Sequence, residues 1–330
     1  MSKLFENVRA KKTQAVMDEV AKYPNSVFAM DGNANTALIL ASKEGCDELI
    51  EFLIENGSNI NHLNDSKYTP LIYCCVNGNV KGISLLLNKG VNVNFVGRFG
   101  NTAFLHAAMN SHLDAVALLL TKRSNASSRA GVKASAKGLP SPDENTVDIN
   151  SVNKTGLSAL LFAINEKNFP LTKYLIQNDA NIHQKDLAGN SSLIVACSYH
   201  DESIVHMLIE KGASVADCNN NGYTPFMVAC EHGNMRIIES IYKTGKVKNI
   251  NEVTKVGNTA LILACRFGHL DVVKWLVASC KADVKVRNKE NLDATYYAWR
   301  CFHPEIAHYL LELGISAKFD APKRTFKPRL

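Results

Sequence analysis

The 330-residue chain has no run of about eighteen apolar residues, which excludes an ordinary membrane-spanning helix. Its start, MSKLFENVRAKK, lacks the apolar core of a secretory signal. Nine cysteines without such a signal point to a reducing compartment, and the odd number argues against a complete disulfide framework. The expected location is cytoplasmic, with the nucleus left open. There is no CxxC, no HExxH, no GxSxG and no GxxxxGK followed by Ser or Thr. A thiol metal site, a zinc protease, a hydrolase elbow and a phosphate loop therefore have no sequence support. Net charge is small, +6, and says little about partners. With 46% apolar and 21% charged residues, the composition is that of an ordinary folded protein.

What is present is a phrase. Residues Gly257 to Val277 read GNTALILACRFGHLDVVKWLV. Thr259 is placed to cap a helix whose apolar face carries Leu261, Ile262, Ala264 and Cys265. Gly268 stops it where a left-handed residue is needed. A second amphipathic run follows, with Leu270, Val272, Val273, Trp275, Leu276 and Val277. This is a helical hairpin too small to hide both of its apolar faces.

The phrase recurs. Equivalents of Thr259 are Thr36, Thr69, Thr102, Ser158, Ser191, Thr224 and, more weakly, Asp293, at steps of 33, 33, 56, 33, 33, 35 and 34 residues. Five positions after each marker sits a small residue: Ala41, Cys74, Ala107, Ala163, Ala196, Ala229, Ala264 and Ala298. With Thr69-Pro70-Leu71 and Thr224-Pro225-Phe226 as openings, the period of 33 resembles the ankyrin repeat. The tracts Asn56–Asn61 and Lys89–Asn94 match that family's helix-ending hairpin stretch. The resemblance covers nearly nine tenths of the chain. It implies an all-α solenoid, elongated and curved, in which each repeat touches its neighbours.

Residues 1–30 read as a degenerate capping hairpin, with stripes Leu4, Phe5, Val8 and Val16, Met17, Val20. Eight repeats follow over 31–318. Ala34 and Lys67 replace the Gly expected before the capping Thr, which puts those two turns in question. The family's TPLH histidine is replaced throughout, by Ile39, Ile72, Leu105, Leu161, Ile194, Met227, Ile262 and Tyr296, exchanging a polar contact for apolar packing. Residues 124–146, without an aromatic and rich in Ser, read as a mobile insertion, with Ser141-Pro142 best taken as an unmodified spacer. The tail, 319–330, is basic.

No catalytic constellation, metal site or cofactor is expected. Cys75, Cys197, Cys230 and Cys265 fall one per repeat on the buried face, about 10 Å apart between stacked helices, too far to share a metal. Glu231-His232 reads as a solvated helix end. The resemblance implies a protein-binding scaffold or adaptor, and places partner contacts just before the capping Thr and just before the inter-helix Gly. On this chain the first set includes Tyr68, Arg98, Phe99, Leu157, Leu187 and Tyr223; the second includes Met109, Tyr199, Glu231, His232, Arg266 and Phe267. Tyr199, Tyr223, Arg266 and Phe267 form the first-choice stripe. The expected partner is a protein, the chain itself a monomer, with no small-molecule substrate and no membrane. One alternative is a module for an acidic partner or nucleic acid using the basic tail, although basic residues show no periodic alignment on one face, so nucleic acid is disfavoured. Another is an enzyme with an unrecognised site.

Overall fold

The computed structural model describes residues 2–127, 146–199 and 201–314. The unit of construction is visible at each capping residue. The side chains of Thr36, Thr69, Thr102, Ser158, Ser191, Thr224, Thr259 and Asp293 each accept a hydrogen bond from the backbone N–H three residues on. All eight markers are therefore helix N-caps, Asp293 included, and each satisfies a helical amide that would otherwise lack a partner.

Ahead of each cap the chain folds back on itself. Five residues before the cap, a backbone N–H donates to the carbonyl of the residue immediately preceding the cap, from Asp31 to Asn35 in the first repeat and from Asn288 to Leu292 in the last. The residue two before the cap has positive φ throughout: Ala34 at 58°, Lys67 at 62° and Asn291 at 62°, as well as the glycines of the other repeats. The turn thus survives the loss of glycine at Ala34 and Lys67. Its side-chain and backbone hydrogen bonds offset a strain of order 1 kcal/mol. Asp31 Oδ1, for instance, accepts from the amides of Asn33 and Asn35 at 2.9 Å each.

Eighteen α-helices occur among the described residues, and the only strand-like pairings there are three isolated bridges. The first two, α1 (Ser2–Arg9) and α2 (Thr13–Lys22), bury Leu4, Phe5, Val8, Val16 and Val20. Eight helical pairs follow: α3 (Ala37–Glu44) with α4 (Asp47–Glu55), α5 (Pro70–Asn77) with α6 (Val80–Asn88), α7 (Ala103–Met109) with α8 (Leu113–Ser127), and α9 (Ala159–Asn165) with α10 (Phe169–Gln177). Then come α11 (Ser192–Ser198) with α12 (Glu202–Glu210), α13 (Pro225–His232) with α14 (Met235–Lys243), α15 (Ala260–Phe267) with α16 (Leu270–Ala278), and α17 (Ala294–Arg300) with α18 (Pro304–Glu312). Helix α8 is longer than the sequence suggests. No glycine or proline occurs between Lys122 and Gly131, so nothing in the sequence stops the ladder at Ser124, and it runs to Ser127. The remainder of the expected insertion with Ser141-Pro142, the basic tail and His200 lie outside the described residues.

The chain divides into two compact units, residues 1–181 and 182–330. In the first, α3 packs on α5, α5 on α7 and α7 on α9; in the second, α11 packs on α13, α13 on α15 and α15 on α17. The first helix of each pair is the buried one. Ile39, Ile72, Leu105, Leu161, Ile194, Met227 and Ile262 are all buried, as their apolar character requires. Tyr296 departs from the set: it is partly exposed, and its hydroxyl accepts a hydrogen bond from Arg300 at 2.8 Å.

Buried or half-buried asparagines join some successive hairpins. Asn64 Nδ2 donates to Asn35 Oδ1 at 2.8 Å, Asn219 to Asn190 at 2.9 Å and Asn288 to Asn258 at 2.9 Å. In each pair one partner precedes a cap and the other lies five residues before the next cap. Where the first position holds Tyr68 or Tyr223, the second holds Gly97 or Thr254. Asn101 and Asn153 share the pattern without the bond, and Asn101 Oδ1 is buried with no partner.

Candidate functional site

Histidines staple together the C-terminal ends of successive first helices, the inner helices of the pairs. The Nε2–H of His269 donates to the Glu231 carbonyl at 2.8 Å, and that of His303 to the Arg266 carbonyl at 3.2 Å. Gly268, at φ 85°, makes room for the second staple: a Cβ there would lie 2.5 Å from the His303 ring. The tips are joined as well. The Lys255 amide donates to Asn221 and the Lys289 amide to Val256, at 2.9 and 3.0 Å. Residues 33 or so apart in sequence are thereby held side by side.

Within the second unit these links gather Tyr223, Glu231, Arg266, Phe267 and Tyr297. The Arg266 guanidinium carbon lies 5.5 Å from the Phe267 ring centre and 5.9 Å from that of Tyr297. Such cation–ring contacts fix an otherwise flexible side chain. Glu231 sits at the end of α13 facing Tyr223, and its Oε2 is buried without a hydrogen-bond partner. Burial raises the Glu231 carboxyl above its usual value, against the opposing pull of His232, Arg266 and the Tyr223 hydroxyl. Burial also raises the Tyr223 phenol, and the Glu231 charge adds to it. Glu231 is accordingly not the solvated helix end that its position suggested.

Three members of the expected stripe, Tyr223, Arg266 and Phe267, belong to this one cluster. Phe267 is 46% exposed, and Tyr199, 36% exposed, ends α11, the helix that packs on α13. Leu187 stands at a hairpin tip, 70% exposed, its carbonyl accepting from Asn220. Tyr297 escaped the sequence reading. Its only signal was an aromatic four residues after a cap, a position that Tyr73 and Phe162 also fill with aromatics in other repeats.

The candidates of the first unit are more dispersed. Arg98 lies over the ring of its neighbour Phe99 at 5.0 Å, and Phe99 is 61% exposed on a tip at φ 61°. Tyr68 instead packs inward, edge-on to Tyr73 and His106 at 5.2 Å each. Burial lowers the His106 pKa, which keeps the ring neutral. Met109 and Leu157 are half-buried.

Cys75, Cys197, Cys230 and Cys265 are buried on the first helices, and burial pushes all four thiols upward, away from nucleophilic or ligating character. No group of three or more His, Cys, Asp or Glu able to hold a metal occurs among the described residues. Nor is any described helix long and apolar enough to cross a membrane.

No curated protein matches the chain. The family described as Ankyrin repeats (3 copies) matches residues 10–96, 38–132, 90–186, 126–217, 160–252, 216–288 and 244–321. Ankyrin repeats generally mediate protein–protein interaction and are typically non-catalytic. Successive overlapping matches, eight N-caps at one phase and a hairpin repeated ahead of each cap leave one conclusion: the chain belongs to the ankyrin repeat family.

Proposed function

We propose that the protein is a non-catalytic scaffold or adaptor that binds a protein partner on the inner-helix ends and hairpin tips of its second unit. The observation that carries this reading is the cluster around Arg266. Phe267 and Tyr199 stay exposed although every neighbouring apolar side chain of α11 and α15 is buried. Tyr, Phe and Arg are the residue types that concentrate binding energy, because they combine large area with few rotatable bonds or with directed donors. Tyr223, half-buried against Glu231, supports the floor of the surface. Arg98 and Phe99 form a second, smaller surface in the first unit, with Met109, Leu157 and Tyr68 nearer its packing than its rim. A monomeric, intracellular protein is the state this reading assumes.

The test is double. Tyr199, Phe267 and Arg266 are each changed to Ala, and both melting temperature and partner capture by the full chain are measured. Each change should weaken capture by about 2 kcal/mol if the residue is a hot spot, with the melting temperature nearly unchanged. Loss of stability with capture intact would assign these side chains to packing instead.

A further inference from the structure

We propose that the segment bound by this surface is acidic: a stretch of protein whose carboxylates meet Arg266, Lys255, Lys289 and Arg300 and whose apolar side chains meet Phe267. This rests on the protein-binding reading above and names the chemistry of the partner.

Arg266 is the first ground. Its guanidinium lies near two rings, and although the Glu231 carboxyl feels its charge, none of its N–H groups has a hydrogen-bond acceptor among the described residues. The group is oriented and its donors are unused. A planar fork held in this way matches a carboxylate, which accepts two parallel N–H bonds. Preorganisation of the side chain lowers the entropy lost on binding.

The second ground is the row that flanks it. The tips carrying Lys255 and Lys289 are tied to their neighbours by backbone hydrogen bonds. Both lysines are exposed, and neither has a carboxylate partner among the described residues. Arg300, one repeat beyond Arg266, is fixed by its bond to the Tyr296 hydroxyl. Elsewhere in the same unit Lys185, Arg236, Lys243 and Arg287 pair with carboxylates, at 3.1 to 3.6 Å. Lys211, Lys246, Lys248, Lys274, Lys281 and Lys285, like the row, form no ion pair among the described residues, so it is the grouping of the row's charges and not their lack of partners that sets it apart. Against the four cations of the inner row stand Glu231, half-buried, and Glu290 at a tip. Positive charge therefore predominates along the row, interleaved with Phe267, Tyr297 and Val256. A polyphosphate strand would favour an unbroken cationic track and would be repelled by the two carboxylates. An acidic segment with intervening apolar side chains fits the alternation better, and steering by the row would speed its capture.

The experiment selects binders from a random peptide library on the immobilised full chain, then measures synthetic copies of the selected peptides in solution. Enrichment of peptides with clustered Asp and Glu beside Leu or an aromatic is expected. Their affinity should fall about tenfold or more with Arg266→Ala, and equally when their Asp and Glu become Asn and Gln. Arg266→Met, which keeps the stem on both rings, should lose the same affinity with the fold intact, and Arg98→Ala should lose none. Neutral or basic peptides that still require Phe267 would overturn the acidic class while leaving the protein-binding reading in place. Acidic peptides that bind Arg266→Ala unchanged, or that a single-stranded oligonucleotide displaces with higher affinity than theirs, would also overturn it. Absence of any peptide whose binding depends on Tyr199, Arg266 or Phe267 would remove both readings.

Discussion

Glu231 shows how one residue can carry a cost of folding that its neighbours only partly offset. Its carboxyl is raised above its ordinary value by burial, so the folded state holds the proton more tightly than the unfolded state does. Below the ordinary carboxylate range both states are protonated and the residue contributes no pH dependence. As pH rises through that range the unfolded chain ionises first, and folded stability falls. Glu231→Gln removes the titration. The variant should therefore match the wild type in thermal unfolding near pH 4 and exceed it near pH 7, in the direction the linkage dictates. An unchanged difference between the two pH values would mean that the carboxyl titrates alike in both states. The same residue illustrates a limit of local reading. A Glu beside a His at a helix end looks solvated in sequence, and only the neighbouring Tyr223 and Arg266 make it half-buried.

At the scale of the element, the repeat is a device for bringing short helices into register. Each hairpin is closed by its own backbone bonds and capped by its own Thr, Ser or Asp, and three of them are tied to the next by asparagine pairs such as Asn35–Asn64. Leaving one member of such a buried pair unsatisfied costs about 1–3 kcal/mol, so matched positions favour the correct neighbour. At the junction between α15 and α16 glycine is required for two reasons at once. Gly268→Ala would meet both a left-handed backbone and the His303 ring. It should cost about 1–3 kcal/mol in urea unfolding. Adding His303→Ala should recover the steric part and leave the backbone part, at the expense of the staple to Arg266. If the double variant is no more stable than additivity predicts, the ring is not what Gly268 accommodates.

Over the whole molecule, stability is expected to be distributed by repeat, because helices of each unit pack on those of adjacent repeats rather than on a shared centre. Thr259→Ala removes a fully buried N-cap oxygen and should cost about 1 kcal/mol. In hydrogen exchange the loss should be felt most in α13 to α17 and least in α3 to α7. Uniform loss of protection through both units would instead indicate a single cooperative fold.

The sequence by itself determined the helical period, the eight cap positions, the glycine turns and the buried face. These depend on interactions within a few residues, and a repeated pattern averages out local exceptions such as Asp293 in place of Thr. Tolerance of Ala34 and Lys67 at positive φ was not legible, since it depends on the hydrogen bonds that close the turn. The candidate site was half legible. Tyr199, Tyr223, Arg266 and Phe267 could be named from their place in the repeat. Stacking alone put Arg266 over Tyr297, buried Glu231 and drew Tyr68 inward against His106, because those contacts join side chains from different repeats, or from the hairpin and helix of one repeat, whose distances the local pattern does not encode.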